Sequence, residues 1–294
     1  LKTRRPEFQA ANDHPPGCGK RALTGRPFFV ASAGLSCPYW YEAVRIHSMK
    51  KILFWPYQLY MWLIFLPIVV VSTVVFSSLT ILFSTLVNPH FASRVFAVNW
   101  ARTLAFLTPI KVTVEGEENA IPHHSYIVAS NHQSMYDILV IYGWLRLDLK
   151  WVMKQELRRI PAIGLGCEKA GHIFVERRNP KRAARVINEA MQRLGGGIGV
   201  LFFPEGTRSQ DGRLLPFKKG AFRVAIDQDI PILPVTVVGT RDILPARSLA
   251  LFPGRARLVI HPAIEPAGRT LNQVDEMMAE TREVINSALP EELR

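Results

Sequence analysis

Asn131-His132-Gln133-Ser134-Met135-Tyr136-Asp137 is the stretch of this chain whose residue types and spacing suit proton-transfer chemistry. It comes after the apolar run Ser125–Ser130, which reads as a strand, and it leads into Ile138–Ile141, which reads as a buried helix. A carboxylate that accepts a hydrogen bond from one imidazole nitrogen fixes the tautomer and leaves the other nitrogen to take a proton. Five residues along a helix rotate the second side chain about 140° from the first, at roughly 100° per residue. His132 and Asp137 therefore meet only if the histidine lies in the turn or at the helix start and the aspartate within the first turns. Taken alone, such a pair is more often a surface or capping pair than a dyad, and the residues downstream decide between the two.

Phe202-Phe203-Pro204-Glu205-Gly206-Thr207-Arg208-Ser209 is the second pointed stretch. An apolar strand is stopped by Pro204, Gly206 permits a tight turn, and polar residues crowd the strand's end. Ligands of open α/β sheets bind outside such carboxyl ends. Arg208 offers a planar fork to a phosphate, with Thr207 and turn amides as further donors. A polar β-turn is the plain alternative. Lys218 and Lys219 stand close by in sequence. Gly171–Arg177 reads as a buried strand ending in charge, and Ile230–Val235 as an apolar wall of a groove, because two prolines demote it as a central strand. Gly195–Gly199 closes a helix and precedes a strand, the reverse of a dinucleotide loop, and reads as a C-cap. The chain has no P-loop and no GxSxG elbow. Ser134 lacks the elbow glycines, so a serine hydrolase is not expected. Nor does a second His or Cys stand at ligand spacing from His132, which argues against a metal.

These segments need elements to hold them. Lys111–Glu115, 125–130, 150–153, 171–176, 198–203, 232–238 and 256–260 read as strands. Residues 91–107, 134–146, 180–194, 219–227 and 271–288 read as helices. The alternation predicts an α/β domain over 91–294, with a mixed, largely parallel sheet flanked by helices.

Two features of the whole chain bound its partners. Net charge is +12, and residues 150–223 hold 16 Lys and Arg against 6 Asp and Glu, while the rest has 20 against 18. Nearly all the excess is one patch, which suits an anionic membrane surface or a phosphate-bearing substrate. A nucleic-acid partner is not expected, since no zinc spacing or RNA-binding signature accompanies the patch. Cys18, Cys37 and Cys167 form no CxxC pair, consistent with a reducing, cytosol-facing compartment.

The second feature is Ile52–Val87, 36 residues without a charge. As one straight helix it would measure about 54 Å, against a hydrocarbon core of about 30 Å. Pro67 should kink it, and positive charge flanks both ends, which favours a shallow hairpin over a single span. Residues 49–90 thus read as a membrane anchor. Residues 1–48, rich in Pro and Gly, read as a poorly ordered extension ahead of Met49.

In this order, after an apolar N-terminal segment, the four segments resemble the glycerolipid acyltransferase family that contains the 1-acylglycerol-3-phosphate O-acyltransferases. Asn131 to Asp137 is similar to the family's His-x4-Asp block, Gly171–Arg177 to its second, Phe203–Ser209 to its third and Ile230–Val235 to its fourth. The resemblance covers roughly residues 110–240. It implies His132 as general base and Asp137 as the group orienting it, with direct attack on an acyl thioester and no acyl-enzyme. It also implies that Arg177, Glu205, Gly206 and Arg208 hold the acceptor's glycerol phosphate and that the fourth block lines the acyl or donor groove. Thr207 is grouped with these, and charge adds Lys154, Lys218 and Lys219. The expected reaction acylates lysophosphatidic acid to phosphatidic acid. No cofactor is expected; acyl-coenzyme A or an acyl carrier protein thioester serves as co-substrate. The expected location is a bacterial inner membrane, with the domain facing the cytoplasm. Glycerol 3-phosphate or another lysophospholipid is the rival acceptor. A non-catalytic membrane-anchored lipid-binding protein is the rival class.

Overall fold

The computed structural model describes residues 51–294, apart from 177–179, 195 and 267. The expected extension 1–48 and Arg177 lie outside the described residues.

Helix α1 (Lys51–Tyr60), a π-helical turn (Met61–Phe65) and α2 (Leu66–Leu86) run on as one rod. Within it, Leu53–Leu86 is long and apolar enough to cross a membrane. The hairpin expected inside 52–87 does not form. Leu66 N–H reaches five residues back to the Met61 carbonyl, and this loosened turn makes room for the Pro67 ring just beyond it. The chain reverses later, at Val87 and Asn88. The Asn88 side chain caps the return by accepting from Phe91 N at 2.7 Å, and Pro89 fills the first helical position.

The return comprises α3 (Pro89–Ala92), a second π-helical turn (Ser93–Ala97) and α4 (Val98–Leu107). It packs on the rod through Phe83 against Phe91 and Phe96, and through Trp100 Nε1 donating to Thr73 Oγ1 at 3.0 Å. The rod also touches the rest of the protein along its length. Phe54 stacks on Phe252, Gln58 Nε2 donates to Leu251 O at 2.8 Å, and Ser77 packs on Gly166.

The α/β domain is built on seven strands: β1 (Ile110–Glu115), β2 (Tyr126–Ser130), β3 (Asp148–Lys154), β4 (Ile173–Val175), β5 (Ile198–Phe202), β6 (Ile232–Val238) and β7 (Gly254–Ile260). Their spatial order is β1-β7-β6-β2-β5-β3-β4. Every neighbour is parallel except β6 with β7. Helices α5 (Tyr136–Trp144), α6 (Ile163–Lys169), α7 (Pro180–Leu194), α8 (Gly220–Gln228), α9 (Thr240–Ile243) and α10 (Val274–Ser287) complete it.

Both faces of the sheet are covered, which is why β2 is apolar at every position but its last. Tyr126 and Val128 face the α5 side with Met61, Phe65 and Leu104. Ile127 and Ala129 face α7, α8 and α10 with Ile187, Phe222 and Met277.

The fourth block corrects the reading that two prolines demote it as a central strand, while the strand expected at 232–238 is present. Ile232–Val238 lies between β2 and β7, and Ile232 to Val237 are all buried. Pro234 is tolerated because its carbonyl still accepts from His261 N at 3.0 Å. The N–H it lacks would point to that same side, just beyond Ile260, where β7 has ended. The segment is core rather than groove wall.

The topology gathers the chemistry. The five strands β6, β2, β5, β3 and β4 run parallel, so the loops at their carboxyl ends emerge at one edge. The loop after β2 carries His132, flanked by the loops after β5 (Glu205) and β6 (Thr240).

Candidate active site

His132 lies in the loop between β2 and α5, and Asp137 is the second residue of α5. Asp137 Oδ2 accepts from His132 Nδ1 at 2.8 Å, and from the amides of Gln133 at 2.7 Å and Ser134 at 2.9 Å. Its other oxygen accepts from the Thr240 hydroxyl. The carboxylate is fully buried, and four donors converge on it. The His132 ring stacks on Phe203, centroids 4.0 Å apart and planes 18° from parallel. Held from Nδ1 and one face, the imidazole presents Nε2, and its side chain is 14 % exposed. The geometry is that of an oriented base.

Asn131 fixes the start of the loop. Its amide donates to Val237 O at 2.9 Å and accepts from Val237 N at 2.8 Å, pairing with β6 as a strand residue would. Ser134 is buried and donates to Leu244 O at 2.8 Å, so its hydroxyl is committed to structure.

The loop after β5 is stitched to the histidine loop. Glu205 Oε1 accepts from His132 N at 2.8 Å and Oε2 from Leu215 N at 3.0 Å, and Ser209 N donates to His132 O at 2.8 Å. Glu205 is 3 % exposed, and burial pushes its carboxyl up to about 7, partly countered by those two amides. Both its oxygens accept from backbone amides inside the protein, so Glu205 braces the histidine loop. Gly206 adopts φ +74°, and a Cβ there would stand 2.5 Å from Lys218 Nζ.

Two clefts flank this centre. One, of about 550 Å³, lies between the rod and the domain; Met61, Phe65 and Leu66 wall one side, Met135 and Tyr136 the other, and Arg208 and Arg247 supply its charge. The second, of about 530 Å³, lies beyond Phe203 and is lined by Val175, Ile187, Gly206, Lys218, Lys219 and Arg223. Arg208 and Lys218 thus enter different clefts rather than one phosphate site. Thr207 is exposed on the turn. Lys219 also pairs with Asp275 at 2.8 Å. Lys154 ends β3, two strands along from β2, pairs with Glu156 at 3.2 Å and lines neither cleft.

Thr240 is the member of this constellation that sequence reading missed. A lone threonine after a strand carries no periodic or motif signal, and its partner is 103 residues away.

Known proteins resemble this chain in sequence and in fold. Residues 111–238 match the model of the family described as Acyltransferase. A 1-acyl-sn-glycerol-3-phosphate acyltransferase of Chlamydomonas reinhardtii is 34% identical over 206 residues, covering 69% of this chain and 59% of that protein. The alpha form of the enzyme from Mus musculus is 34% identical over 179 residues, covering 60% of this chain and 63% of that protein. The chain therefore spans about half to two-thirds of the length of these curated relatives. The crystal structure of the 1-acyl-sn-glycerophosphate acyltransferase from Thermotoga maritima superposes with a TM-score of 0.63 at 28% identity, covering 83% of this chain and all of that one. The α/β domain thus matches the acyltransferase family over residues 111–238 and is similar in sequence and fold to these enzymes.

Proposed function

We propose that the protein transfers a fatty acyl group from a thioester to the free hydroxyl of 1-acyl-glycerol-3-phosphate, giving phosphatidic acid. The observation that carries this is the half-buried His132 bonded to the buried Asp137, with its ring neighbour Phe203 lining a basic cleft and Met135 and Tyr136 of the same loop and helix lining a cleft shared with the apolar rod. His132 Nε2 takes the proton of the acceptor hydroxyl as its oxygen attacks the thioester carbonyl. The C–S bond then breaks, and the imidazolium returns the proton to the departing thiolate. Asp137 holds the ring in the tautomer with its proton on Nδ1 and balances the charge of the imidazolium.

The 550 Å³ cleft suits an amphiphile, with an apolar wall for the chain and arginines for the phosphate. The lysines and Arg223 of the second cleft suit an anionic donor such as acyl-coenzyme A or an acyl carrier protein thioester. The apolar rod and the basic patch support a location at a membrane, which we take to be the cytoplasmic face of a bacterial inner membrane. The relatives named above, which carry the lysophosphatidate acceptor in their names, favour it over glycerol 3-phosphate.

The test is acyl transfer by detergent-purified protein, with lysophosphatidate, glycerol 3-phosphate or lysophosphatidylcholine offered against each donor. Product from lysophosphatidate alone, reduced about 10²–10⁴-fold in His132→Ala, is expected. Wild-type turnover in that variant would remove His132 from the chemistry.

A further inference from the structure

Thr240 is the first residue of α9, directly after β6 and two residues beyond the segment that matches the family. Its hydroxyl donates to Asp137 Oδ1, the carboxylate oxygen that His132 does not use. Both residues are fully buried, so no water can stand in for the hydroxyl. The contact depends on a bend. Gly239 adopts φ +88°, and a Cβ at that position would lie 2.3 Å from the Arg255 carbonyl. Only glycine allows β6 to turn so sharply beside β7, and the turn swings Thr240 back beneath the end of the neighbouring strand. Without Thr240, the carboxylate would be held from one oxygen only, by three N–H groups converging on Oδ2. It could then pivot about that oxygen and carry the imidazole with it.

We propose that Thr240 is a positioning residue for the transfer reaction, acting on His132 through Asp137. The proposal rests on His132 being the base. A hydroxyl that locks a second-tier carboxylate affects the attack step and not the clefts that bind substrate. A misplacement of the base by about 1 Å can lower the rate about 10²-fold. Threonine and serine supply the hydroxyl; valine, of nearly the same shape, does not.

The experiment is a double-mutant cycle on purified protein, measuring kcat, KM and thermal unfolding for Thr240→Val, Thr240→Ser, Asp137→Asn and Asp137→Asn/Thr240→Val. Thr240→Val is expected to lower kcat about 10²-fold at unchanged KM, and Thr240→Ser to restore most of it. In the Asp137→Asn background the further change to valine is expected to lower kcat less than about twofold, because the path through Asp137 is already broken. Equal losses in both backgrounds would overturn the proposal, as would a kcat loss in Thr240→Val that tracks a fall in its melting temperature. Full turnover in both Asp137→Asn and His132→Ala would instead strike at the base assignment, a separate failure.

Discussion

Replacing Glu205 by glutamine keeps the size of the side chain and removes its charge. Oε1 accepts from the His132 amide and Oε2 from the Leu215 amide. A carboxamide has one acceptor, so one buried N–H loses its partner and faces an NH2 group. The carboxyl is held up at about 7 against an ordinary 4.5, the net of burial over those same two amide bonds, so at pH 8 the ionised side chain costs the fold on the order of 3 kcal/mol, at ~1.4 kcal/mol per pH unit. Glutamine removes that cost, and Glu205→Gln should be no less stable than wild type at pH 8. Turnover should not survive as well. A histidine loop no longer tied on both sides misplaces the base, and a misplacement of about 1 Å can lower the rate about 10²-fold.

The pH dependence of stability gives a second readout. A folded-state value above the unfolded one means that the folded protein holds the proton more tightly. This stabilisation is complete below about 4.5 and is lost as pH rises through about 7. Denaturant titrations in detergent at pH 5.5 and pH 8 should therefore show a wild-type difference that Glu205→Gln largely lacks. Wild-type turnover in the variant, or the same pH slope in both proteins, would refute the bracing role.

Asp148 accepts from the fully buried Lys150 at 2.8 Å and also bonds His90, joining the return helix α3 to β3. Asp148→Ala leaves the ammonium buried and unpaired, and should destabilise the fold by about 3–5 kcal/mol in chemical denaturation. Gly206→Ala strains a backbone at φ +74° and drives a methyl into Lys218. It should cost about 1–3 kcal/mol in the same assay, with a rise in KM for the donor if Lys218 holds it.

Much of this architecture was legible because apolar runs bounded by breakers mark the seven strands, and because buried parallel strands are apolar on both faces. Helical rotation allowed His132 to meet Asp137 only from the turn or the helix start, and the structure puts it in the loop before α5. Other features lay beyond local pattern. Pro234 reads as a strand breaker until the end of β7 beside it is known. Pro67 reads as a kink until the π-helical turn before it is seen. Asn88-Pro89 is a helix start that the surrounding apolar run disguised. The resemblance implies Glu205 as a ligand for the acceptor, and a sequence does not report which way a side chain points. Only the folded chain shows both its oxygens turned inward.

The cleft of about 550 Å³ is walled on one side by Met61, Phe65 and Leu66 of the apolar rod. Of these, Leu66 is also 43% exposed. With the rod in a bilayer, as the proposed function has it, an amphiphile there can slide sideways into the cleft without passing through bulk water. On the proposed function, the variable that governs acylation is then two-dimensional. The rate should follow the mole fraction of lysophosphatidate within mixed micelles, and diluting that surface with inert detergent should slow it even at constant bulk concentration.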